Sequence, residues 1–183
     1  MNRQGTARAG AWRSTGLPAV RIGAVALLTA CAGYGPASLA PGTNSAEAIR
    51  RMGTPTAVHT PPGEAQASGV ARRLEFARGP AGKHTYVLDF DRDDRLLGWE
   101  QVLTEPRFDS IRAGMSEQDV RSRLGTPSQT RELRFQSQNV WSYRYVNPFC
   151  KWFMVGMSLT GRVVDTSYGP DPTCEPRGNR SPK

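Results

Sequence analysis

The sequence predicts an α+β fold made of two tandem units, each a short helix followed by a three-stranded antiparallel meander. Three observations lead there. A complete set of helix boundary signals runs from Gly114 to Pro127; a partial copy lies 72 residues earlier; and each copy is followed by three short runs of alternating apolar residues separated by turns. In the later copy Ser116 is placed as N-cap with Asp119 three residues on, and Met115 and Val120 stand at the staple positions. Gly125 with Pro127 then ends the helix. In the earlier copy Asn44 is the cap, Glu47 takes the third helical position, and Gly53-Thr54-Pro55 repeats the stop, with Met52 in the place of Leu124.

Residues 1–30 carry Arg3, Arg8, Arg13 and Arg21 and no acid, and end in the apolar run Ile22 to Ala30. That run is too short for a hydrocarbon core of roughly 30 Å and has the length of a secretory signal centre. Its end, Leu28-Thr29-Ala30-Cys31, resembles the lipobox of bacterial lipoproteins, which implies that Cys31 becomes an acylated N-terminus and that the membrane is reached through lipid. The small-x-small pattern Ala30-Cys31-Ala32 leaves ordinary cleavage after Ala32 as the alternative. By the same resemblance, Ala32 in place of an aspartate implies the outer membrane. Residues 31–41, rich in Gly, Pro, Ala and Ser, are expected to form a tether.

The first unit spans 42–103. Its strands are expected around Leu74 and Phe76, Tyr86 to Phe90, and Leu96 to Trp99, with a Gly- and Pro-rich connection before them. The second spans 104–174: a helical segment from Pro106 carrying Phe108, Ile111 and Met115, the capped helix, then strands at Trp141 to Tyr145, Trp152 to Met157 and Val163-Val164. Residues 175–183 read as a disordered tail.

The spacing Phe108-x-x-Ile111-x-x-Gly114-Met115-Ser116, then Leu124-Gly125-x-Pro127, Val140-Trp141-x-Tyr143 and Gly161-Arg162-Val163, resembles the SmpA/OmlA (BamE-like) family of outer-membrane lipoproteins. The resemblance is weaker over Gly42 to Val102. It implies a helix pair on a three-stranded sheet, anchorage facing the periplasm, and a non-catalytic role with a protein partner, the β-barrel assembly machinery among the candidates. Two such units in tandem are similar to the β-lactamase inhibitor protein fold, in which two sheets form one concave binding face.

Formal net charge is +8, but setting aside the four arginines of residues 1–30 leaves 20 basic residues against 16 acidic, without a run of like charge. No nucleic-acid partner is therefore expected. With Cys31 assigned to lipid, Cys150 and Cys174 remain in an oxidising compartment, and a disulfide between them is expected, a catalytic thiol being the alternative. His59 is placed in a loop and His84 at a strand entrance. Asp89, Asp91, Asp93 and Asp94 read as a polar turn rather than a calcium loop, since the central glycine and distal glutamate are missing. No catalytic constellation, metal site or cofactor is expected. Strand alternation turns Trp152 and Met154 away from the core, near Arg144, as a candidate binding surface; the alternative is that the neighbouring unit's helix or the inter-unit segment covers them. The function expected is protein binding or scaffolding in envelope assembly, with an inhibitor-like or sensor module for a periplasmic enzyme as the second reading.

Overall fold

The structure, a computed structural model, describes residues 35–61, 63–79 and 82–174. The expected signal segment, the lipid anchor Cys31 and the tail over 175–183 lie outside these residues.

Two helices are set by their caps. Helix α1 (Ser45–Met52) starts where the Asn44 side chain accepts the Glu47 N–H at 2.8 Å. Helix α4 (Glu117–Leu124) starts in a reciprocal capping box: the Asp119 N–H donates to Ser116 Oγ, and the Ser116 N–H donates to Asp119 Oδ2 at 2.9 Å. Such a cap contributes about 1 kcal/mol. The bonds from Ser116, hydroxyl first, hold the Asp119 carboxyl below the usual range. Both helices end on glycines at positive φ, Gly53 at +81° and Gly125 at +78°. The short helices α2 (Gly63–Ala67) and α3 (Glu105–Phe108) complete the α content of the described residues. The helix expected from Pro106 onward stops at Phe108, where Ser110 bonds back to the Arg107 carbonyl and turns the chain. Ile111 is nevertheless buried.

The strands form two antiparallel sheets. Strands β1 (Ala57–His59), β2 (Arg72–Arg78), β3 (His84–Phe90) and β4 (Leu96–Gln101) lie in that order in the first. The second comprises β5 (Gln129–Leu133), β6 (Gln138–Arg144), β7 (Lys151–Ser158) and β8 (Val163–Pro170), also in order. The expected three-stranded meanders thus each gain an edge strand, β1 or β5. Neither shows apolar alternation: β1 is three residues long, and β5 reads Gln-Thr-Arg-Glu-Leu with only Leu133 partly covered. Charge at an edge discourages pairing with other chains.

The sheets are joined to the preceding helices in the same way. In the first, the Gly42 N–H bonds the Leu96 carbonyl and the Leu96 N–H bonds the Thr43 carbonyl; in the second, the Gly114 N–H bonds the Val163 carbonyl and the Val163 N–H bonds the Met115 carbonyl, all at 2.8 Å. The expected tether departs from a loose linker from residue 35 on. Pro36–Ser38 forms a 3₁₀ turn, Leu39 is buried in the first core, and Arg51 donates to the Ser38 carbonyl.

Ala48 of α1 packs with Leu74, Phe76, Leu88, Phe90 and Leu96 on one face of the first sheet. The second core joins Phe108, Ile111, Val120 and Leu124 to Trp141, Tyr143, Phe153, Val155 and Met157 of the second sheet, with Phe108 stacked on Phe153 at 4.4 Å between ring centres. Val87, on the reverse face of the first sheet, belongs to this second core. The α3–α4 segment therefore lies between the reverse face of the first sheet and the core face of the second.

Glu75 fixes that stacking. Its carboxylate is fully buried, accepts the Thr126 N–H at 2.9 Å and the Thr126 hydroxyl at 3.2 Å, and meets His59 Nε2 at 2.6 Å. Beside it, Arg73 holds Asp89 through two bonds and donates to the Ser122 carbonyl. Removing Glu75 strands the Thr126 donor, a loss of about 1–3 kcal/mol. Glu75→Ala should lower the unfolding free energy by that amount in denaturant titration, and Glu100→Ala, which breaks an exposed pair with Arg107, by less than about 1 kcal/mol. Equal effects would remove Glu75 from this role.

Candidate binding face

In the second sheet, alternation sends Trp141, Tyr143, Phe153 and Val155 into the core, and Val140, Ser142, Arg144, Trp152, Met154 and Gly156 to the reverse face. From the flanking strands Gln129, Arg131 and Leu133 join that face on one side, and Asp165, Ser167 and Gly169 on the other. A groove of about 330 Å³ runs over it, lined by Val140, Met154, Gly156, Asp165 and their neighbours. Two glycines shape its floor. A Cβ at Gly156 would stand 2.3 Å from Asp165 Oδ1, and one at Gly169 would stand 2.7 Å from the Met154 methyl. The carboxylate of Asp165 and the end of Met154 thus lie across positions that a larger residue would fill.

The three residues expected to form a recognition patch, Trp152, Met154 and Arg144, do share this face. They are not equally available. Trp152 is buried, 8% exposed, with the Arg144 guanidinium 5.2 Å from its ring centre and Gly169 against its Nε1. Arg144 is held by Asp171, its Nε lying 3.1 Å from both carboxylate oxygens. Burial works to raise the Asp171 pKa, but the Thr173 N–H and hydroxyl and Arg144 together hold it below the usual carboxylate range. The patch centred on an exposed Trp152 is therefore corrected: Trp152 and Arg144 brace the turn Pro172–Cys174, and Met154 is left partly open in the groove. Neither expected cover, a neighbouring helix or the inter-unit segment, lies over it.

The reverse face of the first sheet is packed in part on the α3–α4 segment, and a cavity of about 350 Å³ lies between Arg73, Val87, Asp89 and Glu100 of that face and Arg107 and Ser122 of the segment.

Cys150 and Cys174, expected as a disulfide, stand as free thiols near each other. The side-chain hydrogen bond with Cys150 is the main influence pushing the Cys174 thiol up. The acidic turn is occupied by protein donors: Asp91 accepts the N–H groups of Asp93 and Arg95, Asp94 accepts from Ser45 and Arg72, and Asp89 pairs with Arg73. His59 lies in β1 against Glu75 rather than in a loop, and His84 stacks on Tyr86. Arg131 and Asp165 were not among the expected site residues. Their signal was faint, since β5 has no apolar periodicity and β8 continues six residues past the Val163-Val164 pair that marks it.

Trp152→Ala should cost about 3 kcal/mol in denaturant titration; a change near zero would return this residue to a free surface role. Peptide mapping by mass spectrometry of protein kept under oxidising conditions should find Cys150 joined to Cys174, closing a loop of about 25 residues for a gain of about 3 kcal/mol. Free thiols in both would contradict that pairing. Comparison of the chain with protein-family models, with curated proteins and with solved structures returns no match.

Proposed function

We propose that this chain is a non-catalytic lipoprotein of the outer membrane, anchored through acylated Cys31 and facing the periplasm, that binds or scaffolds proteins in envelope or outer-membrane assembly. One observation carries the binding role: the reverse face of the second sheet holds a groove that no described element covers. In this reading the described residues are two tandem SmpA/OmlA-like units, each a capped helix leading into a sheet. The paired bonds Gly42 to Leu96 and Gly114 to Val163, the positive φ at Gly53 and Gly125, and the same strand order in both sheets support the duplication.

Membrane attachment is assigned to the lipid. Among the described residues no helix is long and apolar enough to cross a bilayer, and burying two or three acyl chains at about 0.8 kcal/mol per methylene suffices for stable attachment.

Fractionation of cells tests the anchor. The protein should sediment with outer membranes and cross-link there to components of the β-barrel assembly machinery, while Cys31→Ala should move it to the soluble periplasmic fraction. Membrane retention of the variant would refute lipid as the cause of attachment.

A further inference from the structure

We infer that the open face of the second sheet pairs with the same face of a second copy of this chain about a twofold axis. The inference rests on the reading of that face as protein-binding and supplies its partner.

The register carries the argument. Arg131 on β5 lies beside Val140 on β6, Val140 beside Gly156 on β7, and Gly156 beside Asp165 on β8. One row thus crosses the whole sheet, with a cation at one edge, at the other an anion whose carboxylate reaches over Gly156, and an apolar side chain between. Neither Arg131 nor Asp165 forms an ion pair with another described residue, and both are exposed.

Sheets pack face to face with their strands nearly aligned, and a twofold contact requires each residue to meet the mirror position on its partner. An axis between the two faces, parallel to the strands, sets β5 against β8 of the second copy and β6 against β7. Arg131 then meets the second copy's Asp165, and Asp165 meets the second copy's Arg131. Val140 stands over Gly156, beside the Asp165 carboxylate that reaches across it, and Ser142 stands over Met154. A face with one sign of charge at both edges would repel itself in this arrangement; this row attracts itself twice. A head-to-tail contact, with α1 of one copy on the second sheet of the next, uses neither charge pair and does not close.

The contact is small. Four strands spaced about 4.8 Å apart and about six residues long at about 3.3 Å each give a face of roughly 400 Å². That belongs with weak, reversible association, with Kd in the micromolar range or above.

Sedimentation equilibrium of the purified full chain over a wide concentration series tests the inference. The expected result is a monomer–dimer equilibrium without larger species, weakened by salt. Arg131→Asp and Asp165→Arg should each weaken it at least about tenfold, and the double variant Arg131→Asp/Asp165→Arg should restore it, because every charge pair is then reversed. Both positions are exposed, so circular dichroism should show folded variants, and the salt dependence of the unmodified chain needs no variant at all. A monomer at every concentration, an open series of larger species, indifference to salt, or no rescue by the double variant would each overturn the pairing. A photo-cross-linker in place of Met154 separates the two claims: a monomer that cross-links there to a different protein defeats the pairing and leaves the binding face standing, while a monomer with no adduct defeats both.

Discussion

A single buried carboxylate ties this fold together. Glu75 gives up all exposure to water, a cost that only donors can offset, and two of the donors stand on Thr126, 51 residues further along the chain. Thr126 follows the glycine that stops α4, and the Gly125 carbonyl in turn accepts the Tyr143 hydroxyl at 3.3 Å inside the second core. Burial there pushes the Tyr143 phenol far up, so it stays a neutral donor. One continuous set of contacts thus runs from the first sheet, through the end of a helix, into the second sheet. Gly125 is constrained from both sides: its φ of +78° disfavours a side chain, and a Cβ would come within 2.9 Å of Glu75 and Thr85.

That stacking makes the two halves unequal. On the first sheet, Thr85 and Val87 face the helical segment and are buried. On the second, at the positions 67 residues on, Trp152 and Met154 face outward. The middle of the first sheet's reverse face is taken up by internal packing, whereas the matching positions of the second sheet border an uncovered groove. The brace of Trp152, Arg144 and Asp171 holds one end of that surface firm while Met154, Gly156 and Asp165 shape its floor.

What could be read in the sequence was what is decided locally. The capping box at Ser116 and the glycine stops are written within one helix, and the six apolar strands follow from alternation. The edge strands escaped because β5 has a single apolar residue, Leu133, and β1 is too short to alternate. Glu75 escaped for a different reason. A charge between Leu74 and Phe76 reads as the wet side of a strand, and its burial depends on an element 51 residues away that no local pattern announces. The same distance dependence hid which of the two reverse faces is covered, and it turned Trp152 from an apparent anchor into packing.

The central claim, that one sheet face is covered by α3–α4 and the other is open, is tested most directly by methyl nuclear Overhauser contacts in dilute solution. The account predicts cross-peaks from the Val87 methyls to the α3–α4 segment, and none from the Met154 methyl to any element beyond its own sheet. A Val87 without those cross-peaks, or a Met154 packed against another element, would contradict it.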